Sequence, residues 1–145
     1  MANRDDVIRA ARSLIGTRYH HRERQPGVAL DCGGVIICVG RALGIFAPDF
    51  DVPDYTGTPD GSMLPLCNQH LGRRVNKADM RPGDVIVLVT ETAPQHMGII
   101  AENKYGSRTI IHALNDPRYM RVVEQRLVFY RRQRFAAAYS FPGVA

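Results

Sequence analysis

No apolar run in the 145-residue sequence approaches the ~20 residues needed to cross a bilayer. The longest are Val35–Val39 and Val85–Val89, so no membrane span is expected. The opening Met1–Val7 lacks a basic segment followed by an apolar one, so no secretory signal is expected either. There are three cysteines, Cys32, Cys38 and Cys67, an odd number that cannot pair fully. Without an export signal they are expected to remain free thiols. Internal repeats, low-complexity tracts and linkers are missing, which predicts one domain over residues 1–145. A phosphate-cradling glycine loop and a Gly-x-Ser-x-Gly elbow are missing too.

What is present reads as a folded protein. Hydrophobic residues make up 45% and charged residues 23%, which excludes wholesale disorder. Net charge is +5, and all but two of the 19 cations are arginine. Such a surface favours anionic partners without choosing among them. Arg118, Arg121, Arg126, Arg131, Arg132 and Arg134 crowd the C-terminal part. No nucleic-acid-binding motif accompanies them, so a solvated sheet face is expected and nucleic acid is not.

Periodicity changes along the chain. Val7, Ile8, Ala11, Leu14 and Ile15 share a face at helical spacing and predict a helix over 4–15, capped by Asn3 and stopped at Gly16. Residues 17–30 are polar and aperiodic and predict a loop. A second helix is predicted over 32–43, with Asp31 at its cap and Gly44 at its end, and a short one over 61–71. Residues 45–60, with three prolines, should be irregular. From there the period is two. Strands are predicted over 85–90, 96–101, 108–113, 120–125 and 135–141, the first opened by the turn Arg81-Pro82-Gly83-Asp84. Helices followed by strands imply an α+β fold with an antiparallel sheet of about five strands.

Asp31-Cys32-Gly33-Gly34 puts a thiol in the first turn of a helix, where the helix dipole favours the thiolate and lowers its pKa below the ordinary ~8.5. The glycines leave room for a substrate. The same pattern also fits a small half-buried residue beside a flexible cap. A nucleophilic cysteine needs a base, and the base needs an orienting partner. His96 opens one predicted strand and His112 ends the next, 16 residues on, so antiparallel pairing could bring both rings to one end of the sheet. Cys67-x-x-His70 resembles half a zinc site, but nothing completes it and no metal or cofactor is expected. Cys38 reads as core filler.

In order, Ala11–Tyr19, Asp31-Cys32-Gly33-Gly34, Arg81-Pro82-Gly83-Asp84-Val85, His96-x-Gly98-Ile99 and Ile111-His112-Ala113 resemble the NlpC-type cell-wall cysteine peptidases, a papain-like family of peptidoglycan hydrolases. The resemblance implies a papain-like core with Cys32 as nucleophile, His96 as base, His112 as orienter and Tyr19 helping to bind the oxyanion. It implies hydrolysis of an amide in the peptide stem of peptidoglycan. The loop from Tyr19 to Gly27 and the ending from Arg134 to Gly143 are similar to peptidases encoded among tail genes of bacteriophages and gene-transfer agents. This implies a tail component that opens the wall, with tail-hub or tail-tip proteins as partners. A structural tail part with vestigial activity, and an amidase or acyltransferase on the same fold, stand as alternatives.

Overall fold

A computed structural model describes residues 1–55, 60–90, 93–129 and 133–145. Helix α1 (Arg4–Arg12) starts at Asn3, whose side chain accepts from the Asp6 N–H at 2.9 Å. The Asp6 carboxylate accepts in return from the Asn3 N–H at 3.0 Å, so two amide donors that a helix start leaves free are satisfied. The helix ends at Arg12 rather than at 15, and Gly16, at a φ of +93°, turns the chain away.

The stretch 17–30 is not the loop its composition predicts. It holds three two-residue strands, β1 (Arg18–Tyr19), β2 (Arg24–Gln25) and β3 (Ala29–Leu30), in the order β1-β3-β2. β1 runs parallel to β3 and β2 antiparallel to it. Strands this short show no hydrophobic period, so composition alone misses them. The pairing holds Tyr19 and Arg24 on either side of Leu30, directly before the next helix.

Helix α2 (Cys32–Ala42) is buried from Gly34 to Gly40, as expected for a helix apolar all round. At Gly40 the Phe46 ring lies where a Cβ would be, 2.2 Å from Cδ2, so any side chain there would expel the ring. The third helix, α3, covers Met63–His70. Of the segment expected to be irregular, residues 56–59 lie outside the described residues, as do Arg131 and Arg132 of the arginine-rich part.

Against the expected sheet of about five strands, the main sheet has six among the described residues: β4 (Arg74–Val75), β5 (Val85–Thr90), β6 (Ala93–Glu102), β7 (Arg108–Ala113), β8 (Val122–Arg126) and β9 (Arg134–Tyr139). Their order is β4-β9-β5-β6-β7-β8 and every pairing is antiparallel. β4 is the strand the sequence does not announce, again because it has only two residues. Both faces of β5 are covered. Val85 and Val87 pack with Val7, Val35 and Val39 on the helix side, while Ile86 and Leu88 pack with Ile100, Ile110 and Met80 on the other. The result is an α+β fold in which α2 lies against β6 and β7. No described helix is long and apolar enough to cross a membrane.

Candidate functional site

Cys32 is the first residue of α2. Asp31 caps that helix by accepting from the Gly34 N–H at 2.8 Å. The Asp31 carboxylate also accepts from the Arg22 N–H at 2.8 Å, from Arg24 Nη1 at 2.8 Å and from the Tyr55 hydroxyl. The side chains of Asp31 and Arg24 are only 2% and 8% exposed, so this is an enclosed ion pair with its lone pairs taken up by donors. Arg24 in turn donates to Tyr55 Oη at 2.7 Å and to Asp51 at 3.3 Å. Asp51 and Asp54 also meet Arg22, which fastens the 51–55 segment beside the helix start.

On its other side the Cys32 sulfur meets β6. It lies 4.0 Å from the Gln95 carbonyl oxygen, and the Met97 N–H is near enough to pull its pKa down. The thiol is therefore held against the backbone immediately before and after His96. The His96 ring is hydrogen-bonded through Nε2 to His112 Nδ1 at 2.7 Å. His112 Nε2 is bonded to Gln125 Oε1 at 3.0 Å. Glycine at 98 matters here: a Cβ would come within 2.7 Å of the Ile110 side chain and 2.9 Å of the Ile111 carbonyl. Without a side chain β6 can lie close to β7, which carries His112.

The expectation of an acidified thiol is overturned. Burial pushes the Cys32 thiol up to about 12, and the neighbouring Asp31 carboxylate adds to it. The N–H groups of Met97 and Gly33 and the Arg24 charge pull the other way and do not prevail. Burial, followed by His112, drives His96 down to about 3. Burial also lowers His112, against the opposing bond from Gln125. All three shifts favour the neutral thiol and the neutral imidazoles.

Cys32, His96 and Tyr19 line one cavity of about 360 Å³, whose lining also includes Phe46, Phe50 and Met63. His112 is buried behind His96 and forms no part of that wall. The half-buried Tyr19 hydroxyl is raised to about 12 by burial, then by Cys32 and Asp31. The four residues singled out from the sequence thus come together, three in the cavity and one behind it.

Residues 16–135 match the NlpC/P60 family. The chain belongs to the NlpC/P60 family. Solved structures carry the same fold at low identity. NlpC2 and NlpC1 from Trichomonas vaginalis are 20% identical, with TM-scores of 0.67 and 0.70 over 97% of this chain. This chain spans 47% and 45% of those two proteins, less than half of each. The NlpC/p60 domain of the peptidoglycan hydrolase SagA is 18% identical over 97% of this chain and 100% of that domain, with a TM-score of 0.65. No curated protein matches.

Two parts of this NlpC/P60 site escape sequence reasoning. Arg24 looks like an ordinary loop residue until the small sheet turns it onto Asp31, and Tyr55 until the 51–55 segment is fastened beside the helix start through Arg22. Gln125 lies on a strand the sequence does predict, but nothing local marks it as a partner of His112. The half zinc motif dissolves into packing: Cys67 is buried in the core, and the His70 ring stands edge-on to Phe50 at 5.0 Å. Among the described residues no three His, Cys, Asp or Glu side chains converge as a metal site would need.

Proposed function

We propose that the protein is a cysteine peptidase that hydrolyses an amide bond in the peptide stems of peptidoglycan. Cys32 is its nucleophile, His96 its base and His112 the residue that orients His96. The observation that carries this reading is the sulfur held against the backbone on both sides of His96, with His96 Nε2 already engaged by His112. Only Nδ1 of His96 is then left for the thiol.

Because thiol and imidazole are both neutral at rest, the reaction begins with proton transfer rather than from a standing thiolate. As the sulfur attacks the carbonyl carbon, its proton passes to His96 Nδ1. The carbonyl oxygen becomes an oxyanion, met by the Cys32 backbone N–H and the Tyr19 hydroxyl. The C–N bond breaks, the amine leaves with the proton from His96, and a thioester remains. Water, deprotonated by His96, then hydrolyses the thioester and the thiol is restored. Membership in the NlpC/P60 family and likeness to the SagA domain support peptidoglycan as substrate. Purified protein on isolated murein, with products identified by mass spectrometry, is the test. New amine and carboxyl ends within the stem are expected, and intact stems would overturn the reading. An acyltransferase would instead leave acylated products.

We also infer a place of action. The sequence likeness of the Tyr19–Gly27 loop and the C-terminal ending to tail-encoded peptidases supports a component of a phage tail or tail-like particle. There it would sit beside tail-hub or tail-tip proteins and act at the host wall. Proteomics of purified particles checks this: finding the chain only in the free lysate would refute it.

A further inference from the structure

Gln125 stands behind the two histidines on β8. Across the β7–β8 ladder it is paired with Ile110, while His112 is paired with Val123. Its side chain therefore reaches diagonally, on one face of the sheet, to His112 Nε2 at 3.0 Å.

We propose that Gln125 is a positioning residue that sets the tautomers of both histidines, so that His96 presents an unprotonated Nδ1 to Cys32. The inference rests on the catalytic roles given above to Cys32 and His96. An amide oxygen can only accept. His112 Nε2, facing Gln125 Oε1, must therefore carry the hydrogen. A neutral imidazole has one N–H, so His112 Nδ1 is a bare lone pair. His96 Nε2, 2.7 Å from that lone pair, must then be the donor. The single hydrogen of His96 is thus committed to Nε2, and Nδ1 is free to take the thiol proton. Burial keeps both rings neutral, which lets this chain of single hydrogens hold. With a donor in place of the amide oxygen every bond would reverse. His112 would then donate from Nδ1 to His96 Nε2, and His96 Nδ1 would carry a hydrogen it could not exchange for that of Cys32.

The ring nitrogens can be read directly. In protein labelled with 15N-histidine, NMR near neutral pH is expected to show both His96 and His112 protonated at Nε2 and bare at Nδ1. A wild-type His112 protonated at Nδ1 would overturn the proposal at once. Gln125→Met, similar in length but without the acceptor, should leave His112 a mixture of tautomers. It should lower kcat on murein about 10- to 100-fold with KM unchanged, the scale on which partners behind a functional histidine act. Gln125→Lys offers only a donor and should shift both rings to Nδ1–H and lower kcat further. Wild-type tautomers and wild-type kcat in both variants would reduce Gln125 to a packing residue. The two readouts separate the claims: the expected tautomers in a protein that cuts no murein would refute the hydrolytic reading and leave the positioning role standing.

Discussion

The two sides of Cys32 are built from opposite chemistry. Toward the 22–31 segment the helix start is surrounded by charge, with Asp31 gripped by Arg24, by two backbone N–H groups and by Tyr55. Toward the sheet the partners are neutral: His96, His112 and Gln125 joined in a line of hydrogen bonds. The charged side holds geometry. Enclosed ions with every lone pair engaged resist displacement, and they fix the cap that places the thiol. On the neutral side a proton can move, because no standing charge there pins it. The division also accounts for the raised thiol, since Asp31 lies close to a half-buried sulfur.

The sharpest way to break this comparison is to remove the two groups proposed to react, Cys32 and His96. Cys32→Ala should lower turnover on the order of 10⁶-fold, and His96→Ala by nearly as much. The double variant should be little worse than either, because the two act as a unit. Thermal unfolding should stay near the wild-type midpoint in Cys32→Ala. His112→Asn should keep more activity than His112→Ala, since an amide can still accept from His96 Nε2. A Cys32→Ala protein that hydrolyses murein at the wild-type rate would end the assignment.

Changes on the charged side should act on stability instead. Arg24→Met leaves the Asp31 carboxylate enclosed without its counter-ion. Loss of one partner of a buried pair costs about 3–5 kcal/mol, measurable by urea unfolding. Tyr19→Phe lies between the two regimes. It should barely change unfolding, yet reduce kcat by the equivalent of about 2.7–4 kcal/mol for a lost oxyanion donor. An unchanged kcat would mean that the ring only packs.

Acid separates the sides in another way. His96, at about 3, and His112 both lie below the ordinary ~6.5, so as pH falls below that value the unfolded chain binds protons that the fold refuses. Stability from these groups is therefore full above about pH 6.5 and declines as pH falls from there. Replacing both rings with Gln should flatten unfolding free energy against pH over that window. An undiminished slope would mean that the rings are not held neutral.

Much of this was legible in the sequence where a residue announces its own backbone. Asp31 before Cys32 signals a cap, Asn3 signals another, and the alternation around His96 and His112 signals strands on which two rings can meet. Hidden were the features made by long-range pairing. β1, β2, β3 and β4 have two residues each and no period to detect. Arg24 joins the site only because β2 pairs with β3, and Gln125 only because β7 and β8 adopt one register. The thiol was misjudged for a related reason. The helix dipole is local and can be read from sequence, whereas burial against Gln95 and Met97 is tertiary and outweighs it.

The smallest expected effect supplies a control on the whole comparison. Arg12, at the end of α1, donates to Glu124 of β8 from Nε at 2.9 Å and from Nη2 at 3.0 Å, and Nη2 also meets the Glu102 carbonyl at 2.8 Å. Two direct bonds join it to Glu124, against the single direct bond between Arg24 and Asp31. It differs in setting, because the Arg12 side chain is 42% exposed and that of Glu124 18%. Water and salt screen such a pair, which is worth at most about 1 kcal/mol. Arg12→Ala should therefore cost a fraction of what Arg24→Met costs. Raising ionic strength toward 1 M should shrink the Arg12 effect while leaving the Arg24 effect nearly unchanged. If both substitutions cost the same and faded alike in salt, enclosure would not be what strengthens the charged side of Cys32. The contrast between its two sides would then reduce to a difference in residue type.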